Sequence, residues 1–444
     1  MSMKPINVGL LGIGTVGGGT FTVLQRNAEE ITRRAGRPIR ITVVADKNLE
    51  LAKKITGAQV TGGKCRVTDD AFSVVSDPKV DIVIELIGGY GVAKELVLKA
   101  IANGKHVVTA NKALLATHGN EIFKAAQDKG VMVAFEAAIA GGIPIVKAVR
   151  EGLTANRIEW IAGIINGTTN FILSEMRDKG LAFDEVLKEA QRLGYAEADP
   201  TFDIEGVDAA HKITLLSSLA FGIPVQFDKA HIEGISKLDA IDIKYAEQLG
   251  YRIKLLGITK RTDEGVELRV HPTLIPTKRL IANVEGAMNA VLVQGDAVGP
   301  TLYYGKGAGA EPTASAVIAD LVDVTRMHTA DPENRVPHLA FQPNAMSDLK
   351  MLPMDEVQSS YYLRLRVADK SGVLADITRI LADQQISIEA VMQKEPGEGE
   401  VQADLIMLTH LTREKHISAA IAKIEALGVV AGKVTKLRME ELGR

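Results

Sequence analysis

Gly12-Ile13-Gly14-Thr15-Val16-Gly17 follows directly on the apolar run at 6–11 and opens a helical pattern. Nothing else in the 444 residues constrains the fold as tightly. Strand, glycine turn and helix in that order form the first element of a dinucleotide cradle. The first glycine makes the tight turn, the second admits a pyrophosphate to the backbone, and the third lets helix pack close on strand. The helix N-terminus faces the phosphate charge, so Thr15 and Val16 join Gly12, Gly14 and Gly17 as candidate cofactor-binding residues. Gly18 and Gly19 carry the run into the helix, where each costs about 1 kcal/mol relative to alanine. A helix start weakened in that way points to crowding by a ligand or a strand.

The rest of the first third alternates β-branched runs at 40–45, 81–86, 105–109 and 131–135 with helical patterns at 21–34, 92–103 and 120–129. Strands alternating with helices predict a Rossmann-type, doubly wound parallel sheet. The run DIVIEL at 81–86 is apolar after its first residue, as a strand buried on both faces should be. Asp46 ends the second strand and is the candidate ribose carboxylate, although it lies beyond the usual ~20-residue spacing. Lys47 follows it and can pair with a 2′-phosphate, so NAD and NADP both stay open. Ile87-Gly88-Gly89 and Thr109-Ala110-Asn111-Lys112 stand at carboxyl ends of parallel strands, where open α/β sheets bind ligands.

Beyond residue 141 the pattern becomes α+β. Its most informative segment is acidic: Glu197, Asp199, Asp203, Glu205 and Asp208 precede Lys212. The helix expected at 207–220 is otherwise apolar, with Val207, Ala209, Ala210, Ile213, Leu215, Leu216 and Leu219. An i,i+4 Asp–Lys pair is usually a surface salt bridge on a polar face, and this helix offers almost none. A pair held against apolar surroundings beside many carboxylates is a functional candidate. The carboxylates do not follow the D-x-[DN]-x-[DN]-G calcium loop; their other use is to hold an ammonium group. NGTTN at 166–170, with Thr168 and Thr169, runs from strand to helix, where its hydroxyls can cap the helix or its N–H groups receive a carboxylate.

Residues 328–360 hold four prolines without a sustained period and read as a linker. The tail then gives a ferredoxin-like βαββαβ order with a hairpin loop at Glu395–Glu400. Leu363, Leu365 and Val367 alternate as one sheet face, which leaves the opposite face or an edge strand for a second copy. Charges nearly balance, at 52 Lys+Arg against 55 Asp+Glu. That excludes a broad electrostatic footprint for nucleic acid or an anionic membrane. The one cysteine, Cys65, forms no internal disulfide, and no apolar run reaches the ~18 residues of a membrane span. The early glycines interrupt what would otherwise pass for a signal peptide, and no small-residue cleavage site follows. The expectation is a cytoplasmic protein.

Taken in order, GIGTVG, TANK at 109–112, FEAAIAGGIPI at 135–145, NGTTNF at 166–171, GYAEADPTFDIEGVDAAHK at 194–212 and GKGAG at 305–309 closely resemble the homoserine dehydrogenase family. The tail from 361 resembles an ACT domain. The resemblance implies reversible reduction of L-aspartate 4-semialdehyde to L-homoserine with NADP or NAD. It assigns Lys212 as proton donor and Lys112 as the second lysine. Asp208 and Glu197 hold the substrate's amino group and reacting oxygen, with Asp203, Thr168 and Thr169 beside them. Gly88, Thr109, Asn111, Gly194, Gly305 and Gly307 join the cofactor site, as do Lys112 and Glu197. Glu136, with the backbone of Ile139, Gly141 and Ile143, would bind a structural sodium ion. Asp369, Gly372 and Leu374 would receive an effector, L-threonine, in a homodimer or homotetramer. The implied modules are a cofactor domain at 1–135 with a return helix at 310–328, a catalytic and dimerisation domain at 136–309, a linker at 329–360 and an ACT domain at 361–440. Two other readings compete: another amino-acid dehydrogenase, against which the acidic block argues, and a non-catalytic nucleotide and amino-acid sensor. A sensor has no need of Lys212 among carboxylates.

Overall fold

A computed structural model describes residues 4–57, 65–394 and 401–443. The hairpin loop expected at Glu395–Glu400 lies outside the described residues. The chain forms two compact units: Met1–Gly167 with Asp208–Ala230 and Ala287–Leu349, and Thr168–Val207 with His231–Gly286 and Lys350–Arg444.

The first unit is built on a sheet of β1 (Ile6–Leu11), β2 (Ile39–Ala45), β3 (Arg66–Thr68), β4 (Ile82–Glu85), β5 (His106–Thr109) and β6 (Val133–Ala134). All neighbours run parallel in the order β3-β2-β1-β4-β5-β6. That is the dinucleotide-binding order, with its switch point between β1 and β4. β4 and β5 are buried throughout, as a two-faced parallel strand requires. The helical pattern expected at 21–34 is two helices, Thr15–Arg26 and Ala28–Ala35, parted at Asn27. Gly19 is crowded by a helix rather than a strand. A Cβ there would stand 2.6 Å from the carbonyl of Ala310, the first residue of the return helix Ala310–Met327. The same unit holds the antiparallel strands Ile158–Ile164, Met288–Gly295 and Gly299–Lys306.

In the second unit, Tyr251–Arg261 and Val266–Pro276 form a long antiparallel hairpin. The tail is a four-stranded antiparallel sheet in the order Val430–Met439, Gln358–Ala368, Gln402–Thr409, Ile388–Gln393. Leu363, Leu365 and Val367 point into one core with Ile377, Leu381, Ile417 and Ile424 from the two helices. The other face is not left open. Tyr362 is fully buried there and donates to Asp242 on the helix Ala240–Gln248 at 2.9 Å. One edge is also used within the chain, because Val430–Met439 pairs in parallel with Val266–Pro276. Among the described residues the strand Ile388–Gln393 forms the tail's other edge. No helix of the described residues is long and apolar enough to cross a membrane.

Candidate active site

The three glycines of the cradle occupy distinct environments. Gly12 has φ +91°, and a Cβ there would lie 2.7 Å from the Leu86 carbonyl. A Cβ on Gly17 would overlap the Gly12 carbonyl, which fixes the helix against the turn. Gly14 faces open space, as a residue that must admit a pyrophosphate should. Beside it is a cavity of about 630 Å³ lined by Gly12, Gly14, Asp46, Lys47, Phe72 and Val92, among others. Its size suits a bound cofactor. Asp46 accepts the Ile13 N–H at 2.7 Å and the Asn48 N–H at 2.7 Å, tying the end of β2 to the glycine turn. Lys47 is exposed on the same wall.

A carboxylate that the sequence did not single out organises the neighbouring turn. Glu85, fully buried at the end of β4, accepts the N–H groups of Ile87 and Gly88 at 2.9 and 3.0 Å. Its other oxygen accepts the Thr109 hydroxyl at 2.8 Å. Gly88 and Thr109 thus hold the turn shape here, the glycine through its positive φ. Asn111 caps the helix Lys112–Lys129 through its Oδ1 and donates from Nδ2 to the Gly89 carbonyl at 2.8 Å. That cap places Lys112 at the first position of the helix, at the carboxyl edge of the sheet.

The helix Val207–Phe221 is buried from Asp208 to Phe221, which is why its sequence has no polar face. Lys212 Nζ donates to Asp208 Oδ2 at 2.6 Å and to the Ile165 carbonyl at 2.7 Å. Lys112 Nζ stands 3.1 Å from Asp208 Oδ1. Asn166, expected only as part of a turn, donates its Nδ2 to Asp208 Oδ2 at 2.9 Å. Burial works to raise the Asp208 pKa, but the two ammonium groups and the bonds from Lys212 and Asn166 outweigh it. The carboxyl is held well below the usual carboxylate range. His211, next on the helix, is pushed down to about 4 chiefly by burial and lies against Phe227. Two ammonium groups converging on one buried anion form a proton-donating cluster suited to an oxygen that gains charge in a reduction.

Gly305 and Gly307 end the strand Gly299–Lys306 and its following turn, against Ile143 and Gly141. The Glu136 oxygens accept the N–H groups of Val146 and Lys147, both at 2.8 Å, so the carboxylate caps a helix start. The Ile143 carbonyl accepts the Ile145 N–H at 2.8 Å. Within the second unit, Thr168 does not cap its helix. Its hydroxyl donates to the Tyr195 carbonyl at 2.7 Å and lies 3.3 Å from Asp203 Oδ2. Thr169 is buried; Gly194 and Glu197 sit on the exposed loop that follows the helix Phe183–Arg192. In the tail, Gly372 has φ +92° and caps the helix Val373–Asp383, with Asp369 before it and Leu374 exposed.

A glycine cradle at the switch point of a parallel sheet, in one unit with a buried lysine–carboxylate cluster, defines an oxidoreductase that uses a nicotinamide dinucleotide. Residues 12–136 match the family model for the homoserine dehydrogenase NAD-binding domain, residues 144–322 that for homoserine dehydrogenase, and residues 361–429 that for the ACT domain. The chain belongs to the homoserine dehydrogenase family. It is 62% identical over 440 residues to the homoserine dehydrogenase of Pseudomonas aeruginosa, covering 99% of this chain and all of that one. A solved homoserine dehydrogenase from Thiobacillus denitrificans is 70% identical, with TM-score 0.94 and full coverage of both chains. A hyperthermophilic archaeal homoserine dehydrogenase in complex with NADPH is 25% identical, with TM-score 0.61, over 72% of this chain and 98% of that one.

Proposed function

We propose that the chain reduces L-aspartate 4-semialdehyde to L-homoserine, reversibly, with Lys212 as the proton donor. The buried Lys212–Asp208–Lys112 cluster carries this reading. A nicotinamide cofactor supplies the hydride when bound. The chain's own groups do the rest. Asp208 keeps both lysines aimed at one place, Lys212 protonates the aldehyde oxygen as charge develops on it, and Lys112 shares that proton. Glu197, Asp203, Thr168 and Thr169 bind the substrate's amino and carboxyl ends. Gly12, Gly14, Thr15, Val16 and Gly17 hold the pyrophosphate; Asp46 and Lys47 meet the ribose, which gives use of both NAD and NADP. Gly88, Thr109, Asn111, Gly194, Gly305 and Gly307 complete the cofactor's surroundings.

The same reading assigns 1–135 with 310–328 to cofactor binding, 136–309 to catalysis and dimerisation, 329–360 to the linker and 361–440 to regulation, in a cytoplasmic homodimer or homotetramer. L-Threonine is its effector, at Asp369, Gly372 and Leu374. The sodium ion implied by the family would use Glu136 with the backbone of Ile139, Gly141 and Ile143. Each Glu136 oxygen already accepts one backbone N–H, from Val146 and from Lys147.

The test is Lys212→Ala. We expect kcat to fall at least ~10²-fold, the lower range for general acid catalysis, while NADPH binding and the fold persist. Near-normal turnover removes Lys212 from the mechanism.

A further inference from the structure

Asn289 stands on the strand Met288–Gly295 and is fully buried. Neither its Oδ1 nor its Nδ2 has a hydrogen-bond partner among the described residues. The amide is wedged beside two glycine turns. A Cβ on Gly307 would overlap it, and a Cβ on Gly167 would stand 3.6 Å from its Oδ1. Gly307 belongs to GKGAG, whose Lys306 carbonyl accepts the Gly142 N–H at 3.0 Å. Gly167 follows Asn166, the donor to Asp208. One buried amide therefore borders the backbone of the GKGAG turn and of the turn that feeds the lysine cluster.

A buried amide with no partner opposes folding, and each such group in a native structure calls for an explanation. Both atoms are shielded from solvent, so a ligand does not reach them directly and any role is exerted through neighbouring backbone. Of the two glycines, Gly307 is the more tightly placed, and its lack of a side chain makes room for the amide.

We propose that Asn289 is a positioning residue for the cofactor: its amide is poised to hydrogen-bond the backbone at Gly307 when the GKGAG turn settles onto the bound dinucleotide. The bond exists only in the cofactor-bound form, so the polar group costs stability in the free protein and returns it as cofactor affinity. This rests on the assignment of Gly305 and Gly307 to the cofactor site.

The test replaces Asn289 by leucine, which keeps much of the volume and removes both polar atoms. Without cofactor, Asn289→Leu should melt at or above the wild-type midpoint, because an unpaired polar group has been exchanged for an apolar one. Its KM for NADPH should rise about 10-fold, one lost hydrogen bond's worth, while its KM for homoserine stays within about twofold. A merely structural Asn289 gives the opposite: a lower midpoint and unchanged KM for NADPH, which overturns the proposal. Asn289→Ser, which cannot overfill the site, carries the same expected rise in KM if the leucine variant does not fold. Gly305→Ala separates the two layers of the argument. If it leaves cofactor affinity unchanged, the assignment of the turn falls and the proposal with it. If it weakens NADPH while Asn289→Leu and Asn289→Ser do not, the assignment stands and the proposal alone falls.

Discussion

At the scale of single residues, the three motif glycines carry different loads. Gly17 has no room for a Cβ because the Gly12 carbonyl is already there, whereas Gly14 has nothing within 4 Å. Gly17→Ala should therefore destabilise the folded protein by about 1–3 kcal/mol, the range for forced overpacking. Gly14→Ala should leave the denaturation midpoint near wild type and weaken dinucleotide binding, since its methyl group enters only the ligand's space. Denaturant titration with a parallel fluorescence titration of NADPH distinguishes them; equal loss of stability in both would defeat the distinction. The Lys212–Asp208 pair was legible in sequence because an apolar helix gave the charges no surface to serve. Glu85 was not, since DIVIEL reads as a buried strand and a single carboxylate in it carries no spacing signal. What Glu85 does depends on Thr109, which reaches it only through the parallel register of β4 and β5, and on the turn that brings the Gly88 N–H back to it. Asn166 reads in sequence only as a turn residue for the same reason: it donates to Asp208, 42 positions away.

At the scale of elements, periodicity found the long pieces and missed those whose identity depends on neighbours. β3 has three residues, too few for any pattern, and is defined by its parallel pairing with β2. Segment 328–360 lacked a period because it follows the surface of another element. Arg335 donates to the Gly130 carbonyl at 2.7 Å, and His338 Nε2 accepts the Val133 N–H at 3.1 Å, capping edge strand β6. His106 Nδ1 likewise accepts the Met132 N–H at 2.9 Å. Burial, aided by the nearby His328, Arg335 and His338, pushes His106 down to about 3, and burial pushes His338 down to about 4. Both hold their bonds as neutral acceptors. An unfolded histidine titrates near ~6.5, so between that pH and about 4 the unfolded chain binds protons that the folded chain refuses. Stability is then fully present above the unfolded pKa and declines as pH falls through this window, by at most about 1.4 kcal/mol per pH unit for each histidine. Urea titrations at about pH 7 and about pH 5 should show the decline, and His106→Gln should make it shallower. An identical slope in the variant would remove His106 from the account.

At the scale of the whole molecule, the tail is fastened into its unit by buried charge as well as by its own core. Arg438, 1% exposed, makes paired bonds of 2.8 and 2.9 Å to Glu233 and of 2.7 and 2.9 Å to Glu414. Arg364 grips Asp242 at 2.6 and 2.9 Å. The sequence foretold the βαββαβ order of the tail but not its anchors to Glu233 and Asp242, because these lie more than a hundred positions upstream of Arg438 and Arg364. They decide how the proposed regulation by threonine is best tested. Deleting everything after Ser360 takes Arg438 from Glu233, which keeps His231, and strips the buried Asp242 of Tyr362 and Arg364; breaking a buried pair by removing one partner typically costs about 3–5 kcal/mol. A truncated enzyme should therefore lose stability along with any response, and its insensitivity to threonine would prove little. Point substitution in the effector turn leaves every anchor in place. Asp369→Ala should keep turnover in the absence of threonine and the wild-type denaturation midpoint, because Asp369 is an exposed turn residue before Gly372. It should lose most of any inhibition that threonine produces in the unaltered enzyme, since an ammonium group bound there loses its carboxylate. Initial rates across a threonine titration, run on both proteins, measure this. If the unaltered enzyme ignores millimolar threonine, the tail does not sense that amino acid. If it responds and Asp369→Ala responds equally, the effector is held elsewhere than at the turn between the tail's first strand and first helix.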